Sequence, residues 1–443
     1  MAEIKRSTGV NESEKILGQW CDRAFLEAWT YHNPHRAKGT ELCDSLVVFN
    51  GHILIFQIKE IKFSASADVH TAWERWKRKA FTAQLKSLEG AKNWILNHPD
   101  RIYQDAACKK RLPIDIASGN YKIHKILVAN GSAEAGKKYF GENIAGSPVI
   151  IYGHPNRTHN SSTPFLLVQD KQEPVHVLDE HSLAIVLGEL DTACDFTEYL
   201  LAKECAIQKY RSLVYRGEEE LLANYLLNFD ERKNQHYIGA SKENVPDLVI
   251  EENAWRMVLN RPDYKLRKEA NQASYLWDAL MHGVCELALK GSTTGNDNLF
   301  AQRSPIYEMA KEPRVIRRFL AEALRDSLQQ QENSTGQQRL AFRRGSYYES
   351  TAYVFLWVDC PSELSEADFF EARQTMLEIA CGSAKNLQPQ LTKVVGIAYG
   401  YSRKGKIAPE DFMLMECKKW TGEQKLRYEE ANKVLGFFGK DQR

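Results

Sequence analysis

Residues 41–60 read ELCDSLVVFNGHILIFQIKE, two apolar runs joined by Asn50-Gly51 with polar residues only at the outer ends. Asn-Gly between β-branched runs predicts a hairpin closed by a two-residue type I′ turn, which needs φ > 0 at both central positions. Counting outward sets the register: Phe49 faces His52, Val48 faces Ile53, Val47 faces Leu54, Leu46 faces Ile55, Ser45 faces Phe56, and Asp44 lies across from Gln57. Side chains alternate faces along a strand, so Lys59 shares the side of Gln57 and Ile58 takes the other. Asp44, Gln57 and Lys59 therefore converge at the end of an otherwise apolar face. The opposite face (Val47, Phe49, Leu54, Phe56) is just as apolar. A hairpin buried on both sides belongs between helices in an α/β architecture.

The flanks support that placement. Residues 12–30 read as a helix with Leu17, Trp20, Ala24, Phe25 and Ala28 along one side. From Asp68 to Asn97 a long amphipathic pattern sets Trp73, Trp76, Ala80, Gln84, Leu88, Ala91 and Ile95 on one side, with Asp68 as its cap and Pro99 as its stop. Strand candidates follow at 122–130, 147–153, 164–170 and 174–179, which closes a first domain over 1–190. Residues 191–335 read as a helical domain, 330–338 as a polar linker, and 336–443 as a small α+β domain of βαββ pattern.

The chain has 443 residues, 43% hydrophobic and 26% charged, an ordinary globular balance. Its net charge of +1 leaves any nucleic-acid contact to local patches. With no long apolar run and no h-region in MAEIKRSTGVNESEK, the expectation is a cytoplasmic protein that does not enter membranes. Nine cysteines without a C-x-x-C pair indicate reduced thiols, neither a zinc ribbon nor a disulfide framework.

The converging trio suits phosphodiester hydrolysis. Mg²⁺, or Mn²⁺ in its place, takes oxygen ligands, usually one or two carboxylates plus waters. Asp44 offers the charged oxygen and the Gln57 amide a neutral one, with the Ile58 carbonyl as a third candidate. Lys59 is placed to orient or deprotonate a water and to contact the phosphate. The run of Arg75, Lys77, Arg78 and Lys79 reads either as a solvated helix face or as a surface for a nucleic-acid backbone.

The pattern E…ELCD(x12)QIK, followed by a helix carrying Gln84, resembles the PD-(D/E)xK restriction-endonuclease-like superfamily. The likeness is to its Q-x-K variant, as in Mrr-like and bacterial defence-associated nuclease domains, and it covers roughly residues 10–180. The resemblance implies an αβββαβ core and makes Asp44 the metal-binding acid, Gln57 the variant of the usual second acid, Lys59 the motif lysine and Glu14 the glutamate of the first helix. No proline precedes Asp44, and a Gln at the second acid lowers the charge of the site, which weighs against a tightly held second metal. The implied activity is Mg²⁺-dependent endonucleolytic cleavage of DNA, by the effector of an anti-phage or restriction-type system. The alternative is a catalytically inactive protein of that fold that binds nucleic acid or a partner protein. The helical region and the C-terminal unit are the places for a protein partner or a second copy.

Several residues have plainer readings. Asn11-x-x-Glu14 resembles a capping box. Glu41 is expected to point away from the site, and Gln84 to be a polar residue on a helix face. His154 and His159 have no zincin spacing and read as surface histidines. The CKKR run at 108–111 is a weak basic patch, and Trp73, Trp76 and Trp94 read as core anchors.

Overall fold

The computed structural model describes residue 9 and residues 11–65, 67–117, 119–141, 145–153, 163–240, 245–289, 304–333, 339–359, 364–401 and 407–439. His154, His159, part of the 330–338 linker and the boundary at 335 lie outside them. The chain is mixed α/β and divides into two compact units, 1–269 and 270–443.

The first unit opens with α1 (Glu12–Phe25), capped by Asn11. The helix expected to reach residue 30 stops at Phe25, because Leu26 turns to φ 65° and the chain re-forms as β1 (Thr30–His32). Strands β2 (Ser45–Phe49) and β3 (His52–Glu60) then form the hairpin. Its register matches the count made from the turn, from Phe49 opposite His52 to Ser45 opposite Phe56, and Asn50 and Gly51 sit at φ 47° and 80°. β1 pairs antiparallel with the free edge of β2.

The long amphipathic segment follows as α2 (Val69–Trp76), a π-helical turn over Lys77–Thr82, and α3 (Ala83–Asn97). β4 (Lys122–Asn130) returns parallel to β3. After α4 (Ala133–Phe140) come β5 (Val149–Gly153), β6 (Leu166–Asp170) and β7 (His176–Leu178). β7 joins β4 in parallel, completing a five-stranded sheet of order β1-β2-β3-β4-β7. Helices cover both of its faces. Lys125, paired with Ile55, reaches Glu89 of α3 at 2.7 Å on one side. On the other, Phe56 meets Phe25 of α1 at a ring separation of 6.1 Å.

The first unit does not end at 190. α5 (Glu180–Glu189), α6 (Ala193–Lys209) and α7 (Glu218–Leu227) continue it, and Phe196 of α6 packs on both Phe25 and Phe56. Nor is the region after 190 wholly helical. β8 (Ser212–Arg216) pairs antiparallel with β5, and β9 (Asp247–Val249) joins β8 in parallel. The resulting four-stranded sheet, β9-β8-β5-β6, needs strands from both sides of residue 190. Short helices α8 (Ala254–Asn260) and α9 (Pro262–Ala270) close the unit.

The second unit holds α10 (Tyr275–Leu289), α11 (Pro305–Ala310) and α12 (Arg314–Glu332). Then come β10 (Arg339–Gly345), β11 (Thr351–Asp359), α13 (Glu366–Leu387), β12 (Lys393–Tyr401), β13 (Ile407–Glu416) and α14 (Gly422–Leu435). The expected βαββ order is present within a sheet β10-β11-β12-β13, whose core includes Val354, Leu356, Leu377, Cys381 and Val394. α12, expected in a separate helical domain, is tied to this sheet instead. Trp357 Nε1 donates to Ser327 Oγ at 2.8 Å, and Gln331 donates to Asp359 at 2.7 Å.

Among the described residues no helix is long and apolar enough to cross a membrane. The eight described cysteines are unbridged.

Candidate active site at the end of the hairpin

The hairpin register carries one step past Ser45 and Phe56, so Asp44 meets Gln57 across the strands. Gln57 Nε2 donates to Asp44 Oδ2 at 2.6 Å, and the Ile58 amide donates to the same oxygen at 2.6 Å. The main chain of Asp44 is fixed as well: its N–H donates to the Phe56 carbonyl at 3.1 Å and its carbonyl accepts from Asn33 N–H at 2.9 Å. Only 8% of Asp44 is exposed, Gln57 is half-buried, and Lys59, two residues on along the same face, is exposed.

This setting works against ionisation. Burial pushes the Asp44 carboxyl up to about 7; the Ile58 amide opposes the shift, while the charges of Glu14 and Glu41 add to it and Lys59 pulls it down. A buried carboxyl with two acids for neighbours is stabilised by a cation, and the local oxygens suit a hard one. The fit is incomplete in one respect. Gln57 turns its amide nitrogen, not its oxygen, toward Asp44, because an acceptor-only carboxylate attracts a donor. Rotation about the last side-chain torsion would exchange the two ends.

Glu14 makes a local cap but not the reciprocal capping box, because its side chain accepts from the Asn11 side chain and not from the Asn11 backbone N–H. In the first turn of α1 its N–H donates to the Asn11 side chain at 3.0 Å, and its Oε1 accepts from Asn11 Nδ2 at 2.6 Å, a local cap. Its other oxygen accepts from Asn33 Nδ2 at 3.3 Å. Asn33 thus bridges Glu14 and Asp44, through its side chain to the first and its amide to the second. It sits at φ 46°, a left-handed conformation that asparagine tolerates well. The sequence offers a signal for it only in hindsight, as the polar turn N-P between two short strands.

Glu41 is exposed, as its position implied, although its charge still reaches Asp44. Gln84 does not join the site: its Nε2 donates to the Lys79 carbonyl across the π turn at 3.2 Å. Trp73 and Trp76 are buried core residues, stacked at 5.1 Å. Lys109 and Lys110 lie on a loop whose amides are held by the Asp105 carboxylate.

The basic run lies at the same end of the sheet as Lys59. Trp76 Nε1 donates to the Asn130 carbonyl at 3.1 Å, and Asn130 pairs with Glu60. Arg75, Arg78 and Lys79 are exposed, and Lys77 is half-buried with Glu74 3.8 Å from its ammonium. Arg75, Lys77 and Arg78 line a groove of about 580 Å³ together with His70 and Glu74, whereas Lys79 does not line it.

No family model matches the chain, and no curated protein or solved structure is significantly similar to it.

Proposed function

We propose that the protein is a metal-dependent endonuclease that hydrolyses phosphodiester bonds of DNA at the Asp44, Gln57, Lys59 and Glu14 site. The observation that carries this reading is the convergence of Asp44, Gln57 and Lys59 at one strand end, where burial raises the Asp44 carboxyl to about 7 and a bound cation would offset its charge. The connectivity supports it: a helix, three antiparallel strands, a helix and a strand parallel to the third is the αβββαβ order of the superfamily that the motif resembles. A role as effector of a defence or restriction-type system rests on that resemblance alone.

Asp44 would hold Mg²⁺ or Mn²⁺, with the Gln57 oxygen beside it after its amide turns and Glu14 across from them through Asn33. When bound, such an ion lowers the pKa of a water and offsets charge building up on the phosphoryl group. Lys59, exposed at the strand end, orients the attacking water and contacts the phosphate. Arg75, Lys77 and Arg78 hold the backbone of the strand in the neighbouring groove, a contact that weakens with salt.

A second reading, a protein of this fold that binds DNA without cutting it, is favoured by the hydrogen bonds of Gln57 and Ile58, which already satisfy Asp44 Oδ2. Incubating the full chain with supercoiled plasmid separates the two. Nicking or linearisation that requires Mg²⁺ or Mn²⁺ and disappears in Asp44→Ala supports the nuclease. Retarded but intact plasmid with either ion supports the binder.

A further inference from the structure

The histidines at the start of β3 and β4 lie on the opposite sheet face from Asp44 and at the other strand end. His52 to Gln57 is a distance of roughly 16 Å at the usual strand rise. His124 is on β4, registered with Leu54, and His176 opens β7, registered with Ile126, so parallel pairing sets both rings on one face beneath α6. Glu204 comes down from α6. Its Oε1 lies 2.8 Å from His124 Nδ1 and 3.3 Å from His176 Nε2, and one ligand atom from each residue falls within 4.8 Å of the others. Two ligands on a tetrahedral zinc ion, each about 2.0–2.1 Å from it, stand roughly 3.3 Å apart. The carboxylate oxygen stands at about that separation from each imidazole, and the two imidazole nitrogens lie within 4.8 Å of each other.

We propose that His124, His176 and Glu204 form a metal site for a Zn²⁺-class transition-metal dication, distinct from the hairpin site and independent of the nuclease reading. Two imidazoles and one carboxylate with a fourth position open to water is a donor set for zinc and its neighbours, and a poor one for Mg²⁺.

The surroundings are those of a supported site. His52 Nδ1 stands 3.0 Å from His124 Nε2, so it accepts the proton that His124 carries there when Nδ1 takes the metal. In the metal-free network His124 Nδ1–H and His176 Nε2–H donate to Glu204, so metal binding would move His124, His176 and His52 each to its other tautomer, with no proton lost from the network. Lys122 Nζ lies 2.5 Å from Glu204 Oε2 and fixes the second carboxylate oxygen. His176 is 2% exposed, and its Nδ1 is buried without a partner whether or not Nε2 takes a metal. For Glu204, burial alone would raise the carboxyl, but hydrogen bonds from His124 and His176 hold it far below the usual carboxylate range. The bland alternative is a proton-sharing network with no ion.

Titration of the chelator-treated full chain with Co²⁺, then Zn²⁺, tests the site. With the hairpin kept filled by excess Mg²⁺, the expected result is one Co²⁺ per chain with the intense visible absorption of four-coordinate cobalt, displaced by Zn²⁺ and not by the Mg²⁺. Glu204→Gln should weaken Co²⁺ binding at least ~10²-fold, His52→Phe about 10–100-fold as an outer partner, and Asp44→Ala not at all. A failure to take up Co²⁺, a loss of less than tenfold in a folded Glu204→Gln, or a loss in Asp44→Ala would each overturn the proposal. Should Glu204→Gln not fold, histidine ring NMR of the unmutated chain decides, since the His124 and His176 signals must move on adding Zn²⁺ and the proposal fails if they stay.

Discussion

At its C-terminal end β3 sets Gln57 against Asp44, and at its N-terminal end, on the other face, His52 opens a run of imidazoles that reaches Glu204. Both ends place a carboxylate where water is scarce, yet the two acids move in opposite directions. Asp44 has acids for neighbours and neutral donors for partners, and its carboxyl rises to about 7. Glu204 is more than offset by imidazoles and the Lys122 ammonium, so it stays charged. Burial sets the cost in each case, and the neighbours decide whether the acid meets it by taking a proton or by keeping its charge. The first arrangement leaves a carboxyl that gives up its proton only near neutral pH. The second leaves nitrogen donors around a permanent anion.

The largest expected effect is on catalysis. Asp44→Ala should lower Mg²⁺-dependent cleavage at least ~10³-fold and abolish ion binding at the hairpin, while Lys59→Ala should cost ~10²-fold in rate and leave the ion affinity unchanged. Parallel plasmid assays and calorimetric Mn²⁺ titrations read the two; cleavage at the parent rate in both variants would end the nuclease reading.

Next comes stability. Because the folded-state value of Asp44 lies above the unfolded one, its stabilising contribution is full below the unfolded carboxyl value and is lost as pH rises through about 7. Asp44→Asn keeps an acceptor for Gln57 and Ile58 and removes the charge. It should therefore stabilise the protein at pH 8 by up to roughly 4 kcal/mol and have little effect at pH 4. Urea unfolding at the two pH values checks this, and equal shifts at both would contradict the contrast drawn between Asp44 and Glu204.

Gln57→Glu sharpens the contrast further. Two carboxylates facing each other at this distance share a proton, so the acid limb of the cleavage profile should move to higher pH at low Mg²⁺. Affinity for Mg²⁺ should rise by about tenfold, since the site gains a charged oxygen. An unmoved limb would show that the two side chains do not face one another in solution. The smallest effects belong to the groove. Arg75→Ala and Arg78→Ala should each weaken DNA binding a few-fold at fixed salt and lower the salt slope by about one. A filter-binding series over ionic strength measures this.

The hairpin was legible because Asn50-Gly51 admits one turn geometry, and a one-residue slip would have moved every side chain to the wrong face. Asp44, Gln57 and Lys59 followed from that count alone. β8 and β9 were not legible. SLVYR and DLV are short, lie among helical patterns, and become strands because β5 and its neighbours need partners. Asn33 was missed since its role depends on how β1 meets α1. The histidine cluster was missed for a different reason: positions 52, 124, 176 and 204 have no spacing in common, and only parallel pairing of β3, β4 and β7 unites them.

The π turn at Lys77–Thr82 has a consequence for timing along the helix. From Trp76 the sheet-facing side returns at Ala80 and, twelve residues on from Trp76, at Leu88, and in an unbroken α-helix twelve residues overshoot three whole turns by roughly 120°. A π turn admits one residue more per turn than the α-helix, which takes back most of that drift. Trp73 and Trp76 can then share a face with Leu88, Ala91 and Ile95, all five buried. The segment behaves as a leap day in a calendar, one surplus residue inserted so that two counts stay in phase. Deleting Lys79 should convert the turn to regular α-helix and swing the tryptophans by about 100° from the sheet, freeing Asn130 of its indole partner and carrying Arg75 away from the strand end it now overlooks.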